Sequence, residues 1–400
     1  MVTIEEAQRI ILRHIAPLPA EELPLLQGLG RVASEDVIAP RDIPATDNSA
    51  MDGYAFSFAA IRGNSLFVSG NIPAGKERVT PVAAGEAVRI MTGAPIPRGC
   101  DTVVPIEDVE TAGDTIRLAG DARPGAHIRK RGEDLRAGER AIAAGSRLRP
   151  QEIGMLASLG KTSVRVHRRP KVGILATGDE LLEIGSLPSA GKIIDSNSWS
   201  IAGQVMESGG DPVILGIAGD EVAATCDRIR EGIRGELLIT TGGVSVGDRD
   251  CVKEAVSALG GEIRFWKVHM KPGKPVAFGI LSGKPVFALP GNPAAAMISF
   301  EVFVRPALLK MTGHKRLFRP TVTAALTGAI ANKGERPHLI RVWVEARRDG
   351  YVASPTGNQS SARLSSLTAA NGFTMVAPGT TLSSGESVVV SLLDWPEALP

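Results

Sequence analysis

Apolar positions 4, 7, 10, 11 and 15 fall on one helical stripe near the start of the chain, behind Thr3 and Glu6 at capping-box spacing. They predict a packing helix over residues 3–15. Beyond residue 40 the pattern changes: the runs LFVSG, AVRIM, DTVVPIEDV and DTIRLAG alternate with Pro and Gly, and helical periodicity nearly vanishes. This predicts a β domain over 41–137 inserted into a discontinuous one formed by 1–40 and 138–168. The segment LRPQEIGMLASLG, closed by Gly160, supplies a second helix to that host.

After HRRP at 167–170 strand and helix patterns alternate strictly. KVGILAT, DPVILGIA, GELLITTG, EIRFWKV, PVAFGIL and KPVFALP read as strands. SNSWSIAGQVMESGG, EVAATCDRIREGI, DRDCVKEAVSALGG and NPAAAMISFEVFVRPALLKM read as helices. Strands this uniformly apolar predict a parallel sheet covered on both faces, a doubly wound α/β domain over 169–317. The β grammar then returns, from TVTAALTG to ESVVVSLL, and predicts a small barrel or sandwich over 318–400. The fold class is therefore α/β plus β, with several domains.

Composition narrows the function. The chain has 400 residues, 43% hydrophobic and 22% charged, with 45 Gly and 27 Pro, which fits several ordinary globular cores joined by many tight turns. Its 45 basic and 43 acidic residues leave a net charge of +2, with no overall footprint for nucleic acid. Three widely spaced cysteines without CxxC, and six scattered histidines, argue against a zinc knuckle or disulfide framework. The opening MVTIEEAQRIILRHI is acidic where a signal peptide is basic, and no apolar run reaches membrane-spanning length. No membrane association is expected, and a cytoplasmic location is.

Ligands of open α/β sheets bind beyond the carboxyl ends of the strands, so four loops matter most: Gly178-Asp179-Glu180, Thr241 to Asp250, Lys271 to Pro275, and Gly291-Asn292-Pro293. The second, TTGGVSVGDRD, either holds a phosphate at a helix N-terminus or is simply a tight turn. Lys267, Lys271 and Lys274 either pre-order cations around an oxyanion or form a solvated basic turn. Asp220 and Asp250 sit at helix starts, where they cap the helices or, with Glu180, supply oxygen ligands to Mg²⁺. The polar stretch Asp47 to Ala55 and its echo Ile90 to Pro95 read as functional segments or as structural turns.

Eight segments together resemble one family: DNSAMDGYA, IMTGAPIP, RKRGEDLRAG, LATGDEL, TTGGVSVGDRD, KPGKPVAFG, ALPGNP and GNQSSARLSSLTAANG occur in order. The chain resembles the MoeA-type molybdopterin molybdenumtransferases, related to the E domain of gephyrin. The resemblance implies an elongated homodimer whose central MogA-like domain binds molybdopterin. It also implies insertion of molybdenum from molybdate into adenylylated molybdopterin, with Mg²⁺-dependent release of AMP. Carried over by position, it implies catalytic roles for Asp52, Thr92, Glu180, Asp220, Asp250, Lys267 and Lys271, with Glu180, Asp220 and Asp250 as metal ligands. The cofactor-binding set it implies is Thr177, Gly178, Asp195, Asn197, Gly242, Gly243, Ser245, Gly247, Lys274, Pro290, Pro293, Arg341 and Ser361. Expected partners are an upstream molybdopterin adenylyltransferase and downstream molybdoenzyme maturation factors. Two other functions fit parts of the pattern: a MogA-like adenylyltransferase, which would lack the flanking domains, and a non-catalytic dimeric scaffold.

Overall fold

The computed structural model describes residues 1–61, 63–187, 189–243 and 251–396. Asp250, Ser245 and Gly247 lie outside the described residues. The N-terminal helix, Ile4–Arg13, opens on the expected capping box: the Glu6 N–H donates to Thr3 Oγ1 (3.1 Å) and the Thr3 N–H to Glu6 Oε2 (2.9 Å). Its stripe of Ile4, Ala7 and Ile11 is buried with Ile174, Ile239 and Phe303, so this helix packs into the core of the α/β sheet. Farther along, strand Ala20–Pro24 pairs antiparallel with Ser163–His167.

The inserted region folds as a six-stranded sheet ordered Thr102–Pro105, Gly53–Phe56, Glu86–Ile90, Ser65–Ile72, Thr115–Leu118 and Val109–Ala112. Gly53–Phe56 is fully buried and pairs on both sides. A Cβ at Gly53 would collide with the Val104 carbonyl oxygen, so only glycine lets these strands approach. Gly53→Ala is expected to cost about 1–3 kcal/mol by overpacking. A urea midpoint equal to that of the wild type would refute this account.

The α/β sheet runs Asp211–Ala218, Lys171–Thr177, Leu237–Thr241, Lys284–Leu289, Ala277–Leu281, Glu262–Trp266. The first four strands are mutually parallel as expected, but Ala277–Leu281 pairs antiparallel with both neighbours, so the sheet is mixed. The cause is the two-residue connection Ser282-Gly283, whose φ values of 51° and 75° are those of a hairpin turn. The long helix expected over the NPAAAMISFEVFVRPALLKM segment also has an interruption: Pro293–Ser299 and Arg305–Met311 flank a π-helical stretch, Phe300–Val304. Pro306 cannot donate to the carbonyl of Val302, and the Gln8 side chain does so instead at 3.0 Å. The C-terminal strands close into a barrel in the order Thr321–Leu326, Gly350–Pro355, His338–Arg347, Gly372–Val376, Ser387–Leu392.

Candidate functional site

Three parallel strand ends are in register, Ala176 beside Thr241 and Thr241 beside Leu289, so the loops that follow them share one edge. A small hydrogen-bond network fixes that edge. Asn197 Nδ2 donates to Thr241 Oγ1 and to the Gly291 carbonyl, both at 2.8 Å, and Thr241 Oγ1 donates to the Pro290 carbonyl at 3.1 Å. Asp195 accepts the Ser198 N–H at 3.1 Å and so orders the first turn of helix Asn197–Glu207. Gly242 has φ 86°, and a side chain there would run into the Thr177 carbonyl.

Above this edge lies a cleft of about 580 Å³ lined by Thr177, Glu180, Asp195, Asn197, Gly242, Gly243 and Pro293, with Leu181, Ile193 and Ile194 as an apolar wall. A second cleft of about 560 Å³ shares Pro275, Pro290 and Asn292 with the first. Its lining includes Lys271, Lys274, Arg336, His338 and Ser361 and, among the described residues, no carboxylate. Both volumes suit small-molecule ligands.

Two domains build the second cleft. The Lys271 N–H donates to the Pro337 carbonyl (2.9 Å) and the Leu339 N–H to the Lys271 carbonyl (2.7 Å), which ties the KPGKP loop to the barrel. Arg336 Nη1 donates to the Met270 carbonyl at 3.0 Å. The Ser361 carbonyl accepts the N–H groups of Ala294 and Ala295 (3.0 and 3.3 Å) at the start of helix Pro293–Ser299, and Ser361 Oγ accepts from Asn292 Nδ2 at 3.0 Å. Burial, then the charges of Lys271, Arg341 and Arg336, lowers the His338 pKa to about 4, so its ring is neutral near pH 7.

Comparison with known proteins assigns the family. Three family models match in order: "MoeA N-terminal region (domain I and II)" over residues 2–160, "Probable molybdopterin binding domain" over 173–310, and "MoeA C-terminal region (domain IV)" over 323–393. The molybdopterin molybdenumtransferase of Haemophilus influenzae is 34% identical, with 98% of each chain covered. The chain belongs to the molybdopterin molybdenumtransferases. Molybdopterin molybdenumtransferase 2 of Mycobacterium tuberculosis is 36% identical over 93% of this chain and 95% of its own. The crystal structure of a molybdopterin biosynthesis MoeA protein from Pyrococcus horikoshii superposes with a TM-score of 0.84 at 30% identity, covering 98% of this chain and 100% of that one. Membership makes this chain a transferase of molybdenum cofactor biosynthesis. No helix among the described residues is long and apolar enough to cross a membrane.

Within this transferase, the two clefts bring together most of the expected binding residues: Thr177, Glu180, Asp195, Asn197, Gly242, Gly243, Lys271, Lys274, Pro290, Pro293 and Ser361. Others stand apart. Lys267 lines neither cleft; it has φ 79° and its backbone bonds to Val2 and Val276. Asp220 also lines neither, although its N–H donates to Asp179 Oδ1 at 3.1 Å and so holds it near the Glu180 loop. The capping alternative for Asp220 fails, because the helix Val222–Gly232 has Glu221 at its N-cap and no side-chain cap bond. Arg341 is fully buried behind the second cleft, where Nη2 donates to the Ser360 carbonyl at 3.1 Å.

Asp52 and Thr92 line neither cleft of their own chain, yet they form a unit at the tip of the inserted sheet. The Thr92 N–H and Oγ1 both donate to Asp52 Oδ1, at 2.6 and 2.7 Å. These bonds, chiefly the backbone one, hold the exposed carboxyl of Asp52 below its ordinary pKa, and Arg89 adds to the effect. Whatever stability this shift contributes is present above the ordinary carboxylate pKa and lost as pH falls. Sequence reasoning missed Arg336 and His338, whose only signal was a polar cluster ahead of a strand in another domain.

Proposed function

We propose that this chain inserts molybdenum from molybdate into the dithiolene of adenylylated molybdopterin, with Mg²⁺-dependent cleavage of the pyrophosphate link and release of AMP. One observation carries the reading: a cleft rimmed by glycine backbone and carboxylates adjoins one whose charged groups, among the described residues, are the cations Lys271, Lys274 and Arg336, and they share Pro275, Pro290 and Asn292. The first suits a phosphorylated organic ligand, whose rings would lie on Leu181, Ile193 and Ile194 and whose phosphates would meet the Gly242-Gly243 edge. The second suits a small oxyanion, to which Lys271 and Lys274 donate charge-assisted hydrogen bonds.

Among the described residues no group of three metal-ligating side chains assembles. Mg²⁺ is commonly held by one or two carboxylates together with substrate phosphates, and Glu180 and Asp220, on loops joined through Asp179, would be the two that hold it here. Asp250 is proposed as a third ligand from its place in the motif. When bound, Mg²⁺ would neutralise charge on the pyrophosphate.

Asp52 and Thr92 act, in this reading, at the site of a second copy in a homodimer. Support comes from the exposed apolar residues Trp199 and Met206, seven positions apart on one helix, and Val213 and Ile214 on the adjoining edge strand. The enzyme works in the cytoplasm, between an adenylyltransferase that supplies its substrate and factors that load the finished cofactor. Purified protein given adenylylated molybdopterin, Mg²⁺ and molybdate is expected to release AMP in proportion to the oxyanion added. AMP release indifferent to molybdate and to tungstate would overturn the reading.

A further inference from the structure

His338 lines the cationic cleft, is 5% exposed, and has an Nε2 buried without a hydrogen-bond partner. Buried polar atoms are almost always paired, so an unpaired one on a side chain that lines a cleft points to a ligand. Backbone pairing of Lys271 with Pro337 and Leu339 sets His338 directly beside Lys271. A neutral imidazole can donate through either nitrogen but not both. A ligand that only accepts hydrogen bonds selects the tautomer with the proton on Nε2. A fully deprotonated tetrahedral dianion is such a ligand. Hydrogen phosphate is not: it also carries an O–H, which must be placed on one of the neutral amide, hydroxyl or carbonyl oxygens of this cleft, since no carboxylate is among its described lining.

Resting on the proposed reading of this cleft as the oxyanion site, we infer that His338 is a specificity-determining residue. Its Nε2–H donates to an oxo oxygen of a fully deprotonated tetrahedral dianion and favours it over hydrogen phosphate. Sulfate, also a full dianion, is not rejected by this device. The inference adds a neutral donor to the lysines and accounts for an imidazole kept uncharged among cations.

Calorimetric titration of the full chain with sodium molybdate and with sodium phosphate tests it, using wild type, H338L, H338Q and K271Q. H338L is expected to bind molybdate about tenfold more weakly, the loss of one hydrogen bond to a charged group, while phosphate affinity changes less. H338Q, which retains an N–H donor, is expected to stay within about threefold of wild type for molybdate. A folded H338L that binds molybdate as wild type does, or that loses both anions by the same factor, overturns the role. Should H338L not fold, H338N, whose amide is too short to reach, replaces it with the same two outcomes. Weakening in K271Q alone overturns the His338 inference and leaves the cleft reading standing. Unchanged binding in both variants, or no molybdate uptake by wild type, overturns both.

Discussion

An Asp52→Asn protein mixed with a Glu180→Gln protein is expected to regain AMP release that neither shows alone. Glu180 lines the first cleft of its own chain, whereas Asp52 and Thr92 line neither cleft of theirs. If the inserted domain of one copy completes the site of the other, each mutant homodimer carries one lesion in both of its sites. Each is expected to lose on the order of 100-fold in rate, through the loss of positioning or of charge at a metal-assisted centre. In an exchanged heterodimer the symmetry of an isologous pair gathers both lesions into one site and leaves the other intact. Random exchange of equal amounts makes half the dimers mixed, so recovery should approach about a quarter of wild-type activity. Absence of recovery after mass spectrometry has confirmed exchange would mean that both acids serve a single chain.

The second large effect concerns Lys271. It is exposed at the mouth of a cleft with no carboxylate among its described lining, and its backbone is clamped on both sides by the barrel. Lys271→Gln removes the charge and keeps most of the length, so the molybdate concentration for half-maximal AMP release should rise about 10- to 100-fold. Lys271→Arg should be milder, because the charge survives while its geometry changes. A normal molybdate dependence in Lys271→Gln would exclude this lysine from the oxyanion site.

What could be read from the residues alone follows the range of the forces involved. Strands such as Lys171–Thr177 and Leu237–Thr241 are legible because burial on both faces makes them continuously apolar. Gly53–Phe56 is not: it is four residues long, follows a polar run, and depends on neighbours about 35 and 50 positions away in sequence. The reversal at Ser282-Gly283 is visible only to a reader who weighs a two-residue turn above the strand–helix rhythm. The same division holds at the site. Loops after parallel strands can be picked out by the edge rule, and Thr177, Glu180, Gly242 and Lys271 all line a cleft. His338 through backbone pairing and Arg336 through a side-chain bond meet a loop more than 60 residues earlier, contacts with no local signature.

The bonds from Ala294 and Ala295 to the Ser361 carbonyl have a consequence for how such proteins can be recombined. The barrel-side loop terminates a helix of the neighbouring domain, so neither part carries a finished cavity wall by itself. A chimera that takes its barrel from one relative and its α/β domain from another should fold in both halves and still bind oxyanion poorly, unless the segments 290–295 and 358–361 are inherited as a matched pair.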